Sequence, residues 1–206
     1  MIWRELYQRA LSLGASTIYE AAGGLGAMDP AIRPVWKGAA VCGPAFPVKC
    51  VVGDNLAIHR ALEQGEPGDV LVVDAGGDSS GYFGEVLANA AQARGLIGAV
   101  VNGGVRDIDA FERIGFPVFS RWISMRRTAK REAGEIGESI DVGGVIVARG
   151  AVVVADADGV LVTHSATFEA TLRKADGRAT RESGIIARLK SGELTLDLLG
   201  LRPTSK

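Results

Sequence analysis

Apolar residues recur at helical spacing at the start of the chain, where Trp3, Leu6, Tyr7, Ala10, Leu11 and Leu13 alternate with charged positions. An amphipathic helix is expected there. A second short helix should follow, opened by Thr17 and Glu20 as a capping box and ended by the turn GGLG. From Pro47 the pattern changes. Residues 48–52 read as a strand, Asp54 as the N-cap of a helix over 55–64, and Pro67-Gly68 as the turn into an apolar strand over 70–73. DAGGDSSGYFG reads as a flexible polar loop. A helix over 85–94, a strand over 97–101, a short helix over 107–113 and a strand at 118–119 then alternate, the signature of an α/β layered domain. Residues 142–147, 151–155 and 159–162 are β-rich runs with short turns, which predicts an antiparallel meander. After His164 the periodicity is helical again, with a charged amphipathic helix over 178–190 before the tail LTLDLLGLRP.

Composition narrows the class. At 206 residues, 47% hydrophobic and 23% charged, the chain can bury one sizeable core, and with no repeat or linker it reads as a single domain over 1–206. Its 28 glycines point to tight turns and close backbone approaches. A net charge of -1 supplies no field for nucleic acid or an acidic membrane. The one basic cluster, Arg121, Arg126, Arg127, Lys130 and Arg131, lacks aromatic platforms for bases and reads as a solvated or subunit-contact face. Cys42 and Cys50 form no CxxC or His/Cys cluster, so buried thiols in a reducing compartment are expected. The first residues carry charges unlike a signal peptide, and the apolar stretches are broken at Asn102, Arg149 and Asp156 too soon to span a bilayer. A cytoplasmic protein with neither nucleic acid nor membrane as partner is expected. GGLG follows a helix instead of a strand and lacks the final glycine of a dinucleotide loop, so no Rossmann or methyltransferase-type nucleotide site is indicated.

The segment GYFGEVLANAAQARGLIGAVVNGGVRD carries the candidate chemistry. Glu85 opens a helix after a glycine-rich loop, and Arg106-Asp107 ends the following strand, with twenty residues between Glu85 and Arg106. A helix of about ten residues, a turn and a strand of about five fill that interval and return the chain to the end of the sheet where it began. Both carboxylates and the guanidinium then converge on a strand-end crevice, where open α/β sheets bind ligands. Asp107 offers hard oxygen ligands to Mg²⁺ or Mn²⁺, and Glu85 ligates directly or through water. Arg106 is a fork matched to a carboxylate or enolate oxygen. The first amides of the helix, those of Val86 and Leu87 after Gly84, form an anion site. Together they suit a 2-oxo acid. Each residue has a plainer role open to it: Glu85 facing the helix dipole, Asp107 capping the next helix, Arg106 pairing with a neighbouring carboxylate.

Gly84-Glu85, the Arg106-Asp107 pair twenty residues on, the GDN triplet at 53–55 and GDVLVVDAGG at 68–77 together resemble the RraA-like superfamily, specifically its 4-hydroxy-4-methyl-2-oxoglutarate and 4-carboxy-4-hydroxy-2-oxoadipate aldolase branch. The similarity runs from about residue 16 to about residue 203. The resemblance implies a ββα sandwich of the swivelling type with a C-terminal helical tail, and a metal-dependent lyase that releases pyruvate and also decarboxylates oxaloacetate. It further implies homotrimers or homohexamers with the site between subunits. Arg106 would bind substrate and stabilise the enolate, Asp107 would ligate Mg²⁺ or Mn²⁺, and Glu85 would act as a water-mediated metal or proton-relay group. Many relatives have Asp where this chain has Glu85. Glu182 matches a glutamate that reaches a neighbouring subunit's site to help activate a water; an ordinary exposed helix charge is its plainer reading. The superfamily also contains inhibitors of an RNA-degrading endonuclease, so a non-catalytic protein-binding regulator is the alternative. His59 and His164 read as structural, and Lys49, alternating with Val48 and Cys50, does not read as a Schiff-base lysine.

Overall fold

The computed structural model describes residues 2–202. Helices α1 (Ile2–Leu13) and α2 (Ala15–Ala21) precede β1 (Arg33–Pro34), β2 (Val41–Lys49), α3 (Leu56–Gln64), β3 (Val70–Asp74), β4 (Gly81–Phe83) and α4 (Glu85–Ala93). Next come β5 (Gly98–Val105), α5 (Ile108–Ile114), β6 (Val118–Ile123), β7 (Glu135–Ile136), β8 (Ile140–Val142) and β9 (Val145–Val147). The chain ends with β10 (Val152–Asp156), β11 (Gly159–Thr163), the long α6 (Ser165–Lys190) and α7 (Thr195–Leu198). Nine strands form one mixed sheet in the order β1-β6-β5-β3-β2-β10-β11, with β4 beside β5 and β7 beside β2. The pairs β2–β3, β3–β5, β4–β5 and β5–β6 are parallel.

Alternation along these strands sorts the core into layers. Phe46, Val48, Leu71, Val73, Ala99 and Val101 face α3, α4 and α5, meeting Ile58, Leu62, Leu87 and Phe111. Their neighbours Ala45, Val70, Val72, Val100 and Phe119 face the other way, against Val153, Val160 and Val162 of β10 and β11 and Val142 and Val147 of the β8–β9 hairpin. A third layer packs α1, α2 and α6 outside β10 and β11, through Ile18, Val152, Leu161, Phe168 and Leu172. The sheet is thereby nearly closed. Arg33 of the β1 edge donates to the carbonyls of Asp158 and Ala157 in the β10–β11 turn, both at 2.9 Å, which ties the two edges together. No helix among the described residues is long and apolar enough to cross a membrane.

Several expectations need correction. The strand expected at 48–52 is β2, which starts seven residues earlier, with Val51 and Val52 exposed beyond its end. Pro44 and Pro47 are tolerated inside it because residues 41–44 pair with β10 and 45–49 with β3, so few positions need donors on both sides. The loop after Asp74 contains β4, whose Tyr82 and Phe83 are fully buried. The strand expected at 97–101 runs on through Gly103 and Gly104 because glycine alone fits there: a Cβ on Gly104 would lie 2.5 Å from the Ser80 carbonyl oxygen. Residues 142–147 are a hairpin, not one strand, reversed by Gly143 and Gly144 at φ 57° and 80°, the signs a type I′ turn demands. The helical periodicity expected after His164 is borne out as one unbroken helix, α6, which runs from Ser165 through the amphipathic segment 178–190 and buries Phe168, Leu172 and Ala175. Thr17 and Glu20 cap nothing. Helix α2 starts at Ala15, whose N–H is taken at 2.7 Å by Asp156 from the far end of β10. Asp54 sits one residue before the N-cap Asn55 yet still accepts the Leu56 N–H at 2.8 Å.

Candidate active site

Parallel pairing brings the candidate residues together. Phe83 of β4 lies opposite Val105 of β5, so Gly84-Glu85 and Arg106-Asp107 leave the sheet side by side at its carboxyl end. The Arg106 N–H donates to the Phe83 carbonyl at 3.0 Å, locking that exit. Asp107 then adopts φ 61° and ψ 44°, the only left-handed non-glycine residue among those described. For a residue with a Cβ that conformation costs about 1–3 kcal/mol and persists only where its surroundings hold it.

What holds it is the start of α4. The Asp107 Oδ2 accepts the Glu85 N–H at 3.0 Å, and the Arg106 Nε lies 3.7 Å from the same oxygen. Asp107 therefore heads α4, the helix before it in the chain, and makes no side-chain cap on α5, which it precedes. Gly84 is required between them: a Cβ there would stand 2.6 Å from the Asp107 Oδ2 and 3.1 Å from the Arg106 Cγ. Both Arg106 and Asp107 remain nearly half exposed and open onto a crevice of about 560 Å³.

The crevice walls include Gly84, Val86, Leu87, Arg106 and Asp107. Glu85 is not among them. Its carboxylate is engaged by Arg113 of α5 at 2.7 Å, with both side chains largely in solvent. Glu182, on α6, pairs with Arg178 at 2.8 Å, and Arg178 also pairs with Glu20 of α2. Within one chain Glu182 does not line this crevice. No group of three His, Cys, Asp or Glu side chains placed to hold a metal occurs among the described residues. Asp107 presents one partly exposed carboxylate at the crevice, and Mg²⁺ is commonly held by one or two carboxylates with water and substrate oxygens completing its shell.

The remaining walls include residues to which the sequence assigned no site role: Asn55 of the GDN triplet, His59, read as structural, Arg127 and Lys130, read as a solvated or subunit-contact face, and Tyr82 and Thr128. The GDN turn is anchored here, since the Tyr82 hydroxyl accepts the Gly53 N–H at 2.5 Å and donates to Asp78 at 2.9 Å, while the Tyr82 carbonyl accepts from the Asn55 Nδ2 at 2.8 Å. Burial, then Lys130, hold the His59 imidazole below its ordinary pKa, which keeps it neutral. Asp54, almost fully buried, accepts the N–H groups of Arg131 and Glu132 at 2.6 and 3.2 Å and so fixes the segment that carries Arg127 and Lys130. The basic cluster is thus divided. Arg121 turns inward to Asn102 and Asp29, at 2.8 and 2.6 Å, while Arg127 and Lys130 face the crevice.

Elsewhere the candidates are ordinary. Lys49 ends β2 exposed, 3.4 Å from Glu135, and His164 is an exposed residue before α6. Cys42 and Cys50 are free buried thiols, both pushed up to about 12 chiefly by burial and so inert at neutral pH.

A nearly closed α/β sheet carries a polar crevice lined by Arg106, Arg127 and Lys130 at its parallel strand ends. A family model described as RraA-like, Aldolase/RraA, matches residues 15–162. A Halalkalibacterium halodurans protein named "Putative 4-hydroxy-4-methyl-2-oxoglutarate aldolase" is 36% identical over 165 residues, covering 80% of this chain and 79% of that protein. A Burkholderia mallei protein of the same name is 39% identical over 150 residues, 72% of this chain and 90% of its own. Among solved structures, Streptomyces coelicolor RraAS2, described as an unusual member of the RNase ES inhibitor RraA protein family, superposes with a TM-score of 0.78 at 25% identity, covering 89% of this chain and 98% of that one. The chain belongs to the RraA-like family.

Proposed function

We propose that the chain is a divalent-metal-dependent carbon–carbon lyase that cleaves 4-hydroxy-2-oxo dicarboxylic or tricarboxylic acids to pyruvate and a second oxo acid, and also decarboxylates oxaloacetate. The aldolase names of the relatives support the reaction class. The single observation that carries the reading is Asp107, held in a strained left-handed conformation with its carboxylate beside Arg106 at the crevice. Asp107 would hold Mg²⁺ or Mn²⁺, which would supply Lewis acidity to a bound 2-oxo acid.

Arg106 binds the pyruvyl moiety and stabilises the negative charge that grows on the enolate oxygen as the C3–C4 bond breaks. The amides of Val86 and Leu87, at the start of α4 behind Gly84, receive the 2-oxo acid carboxylate. Arg127 and Lys130 add to the crevice lining a positive charge suited to the second carboxylate of such a substrate. The C4 hydroxyl proton passes to a relayed base, for which Glu85 and a neighbouring subunit's Glu182 are the carboxylate candidates. That role for Glu182 fits assembly into homotrimers or homohexamers with the site between subunits. Exposed Val86 at the crevice and Trp122, Ile123 and Met125 at and just beyond the end of β6 support such a contact.

The second reading, a non-catalytic regulator of ribonuclease activity, is favoured by the likeness to RraA structures such as RraAS2. Purified protein assayed with Mg²⁺ or Mn²⁺ should release pyruvate from oxaloacetate and from 4-hydroxy-4-methyl-2-oxoglutarate, and EDTA should abolish it. Metal-independent release would overturn the metal requirement, and no release from any 4-hydroxy-2-oxo acid would overturn the lyase reading and leave the regulator.

A further inference from the structure

Between β6 and β7, residues 124–134 form no helix or strand, yet this segment brings Arg127, Thr128 and Lys130 to the crevice. Its path is set by bonds to distant backbone. The Arg126 carbonyl accepts the Gly81 N–H at 2.8 Å. Ala129 bridges to the GDN turn, donating to the Gly53 carbonyl at 2.7 Å and accepting the Asn55 N–H at 3.1 Å. The Asp54 Oδ2 completes the hold by accepting the Arg131 and Glu132 N–H groups at 2.6 and 3.2 Å. Its Oδ1 takes the Leu56 N–H at 2.8 Å, so one carboxylate, 4% exposed, serves both α3 and the segment. Burial opposes its ionisation, but those N–H groups and Lys130 hold the carboxyl below its ordinary pKa, which keeps it an acceptor on both sides.

Starting α3 needs only the bond to Leu56, which a serine hydroxyl could accept as well. Only a carboxylate accepts on both sides at once. An amide side chain would turn its NH₂ toward an N–H on one side, a donor facing a donor. The second half of the carboxylate therefore serves the segment that carries the two cations. We propose that Asp54 is a positioning residue for the crevice, which holds residues 126–132 where Arg127 and Lys130 receive the second carboxylate of the ligand. Asp54 itself touches no ligand and acts through the backbone. Charge-assisted bonds to an anion gain most where their donors already stand in place, because long side chains on a loose segment must be ordered on binding. The inference rests on the lyase reading for the ligand's second carboxylate and extends it to what sets the affinity for that group.

The test separates the two. The ligands are 2-oxoglutarate and 2-oxopentanoate, which share the 2-oxo acid end and differ in carrying a carboxylate or a methyl group at the other. Neither has the C4 hydroxyl that cleavage requires, so neither is consumed. Titration calorimetry with Mg²⁺ present should show the wild type binding 2-oxoglutarate about tenfold or more tightly, the scale of hydrogen bonds to a charged group. Asp54→Ser, which keeps an acceptor for Leu56, and Asp54→Asn should each lose most of that preference while binding 2-oxopentanoate as the parent does. Arg127→Met with Lys130→Met should lose it too. Asp54→Ser added to that pair should weaken 2-oxoglutarate no further, since a residue that acts through those cations has nothing left to position. A preference that survives in a folded Asp54 variant, equal weakening of both ligands, a further loss without the cations, or failure of both Asp54 variants to fold would overturn the inference. Equal affinities in a wild type that releases pyruvate would overturn it and leave the lyase reading. A preference lost with Asp54, in a protein that releases no pyruvate from any 4-hydroxy-2-oxo acid, would uphold the positioning role and overturn the lyase reading.

Discussion

The carboxylate of Asp107 accepts the backbone N–H of Glu85 at 3.0 Å, so a residue at the end of β5 caps a helix that precedes it in the chain. The bond joins the two strand exits into one unit and spends a functional carboxylate on positioning the helix end that flanks it. Asp107→Asn keeps an oxygen for that N–H and tolerates the left-handed conformation, so its melting temperature should stay near that of the parent. Pyruvate release should nonetheless fall to background or demand far more metal. Asp107→Gly relieves about 1 kcal/mol or more of backbone strain while losing a cap worth about 1 kcal/mol, so it should be inactive with nearly unchanged stability. Activity in either variant at ordinary Mg²⁺ would show that the carboxylate does not hold the metal.

Gly84 permits the Asp107–Glu85 bond by having no side chain. Its backbone is extended, so alanine meets no torsional penalty and the effect of Gly84→Ala comes from the contact alone. With a Cβ at 2.6 Å from the Asp107 Oδ2 the carboxylate must shift, at a cost of about 1–3 kcal/mol in stability and most of the activity. Urea unfolding and the pyruvate assay check the two halves separately.

Arg106 is nearly half exposed and its one ion pair, with Asp107, is loose at 3.7 Å, so little of the fold depends on it. Arg106→Lys should therefore leave the melting temperature unchanged while lowering kcat by roughly 10²–10³, because a point charge cannot reproduce the planar fork. A variant with normal turnover would mean the guanidinium does not touch the enolate.

How far the site could be read from the sequence follows from which signals are local. The strand-end convergence of Gly84-Glu85 with Arg106-Asp107 needed only the lengths of one helix and one strand, and the structure places the two pairs together. Arg127 and Lys130 were hidden because nothing in MRRTAKRE says that the segment is tied to the crevice; that depends on Asp54, and on Gly81, which arrives from a segment expected to be a loop. Local rules failed where long-range partners replaced them. Asp156 caps α2 from residue 156 of the chain, and paired prolines sit inside β2 because its neighbours are staggered.

His59 also predicts a pH dependence. Its folded pKa lies below its ordinary 6.5, first through burial and then through Lys130. Between those two values the unfolded chain binds a proton that the folded chain does not, so stability rises with pH through that window and is lost as pH falls from 6.5 toward the lower folded value. His59→Phe should remove this part of the slope. Urea unfolding of parent and variant at about pH 7.5 and about pH 5.5, either side of the ordinary histidine value, reads the difference. Equal losses on acidification in both would show that His59 does not titrate differently in the two states.

Glu182 gives the test of assembly. It sits on α6 in an ion pair with Arg178, which also holds Glu20 of α2, and this exposed network lies on elements that do not line their own chain's crevice. If Glu182 serves a neighbouring subunit, Glu182→Gln and Arg106→Ala oligomers should each be nearly inactive. Mixed oligomers should recover activity wherever an intact crevice meets an intact Glu182, as closed symmetric assemblies allow. Co-refolding the two variants with different tags, isolating the doubly tagged species and measuring pyruvate release decides the point. No activity above the parents in verified hetero-oligomers would place Glu182 outside any neighbour's site. A fully active Glu182→Gln enzyme would reduce the residue to its ion pair with Arg178, and then the α6 network would do no more than fasten α2 to the outer layer, a contribution of less than about 1 kcal/mol for exposed pairs of this kind.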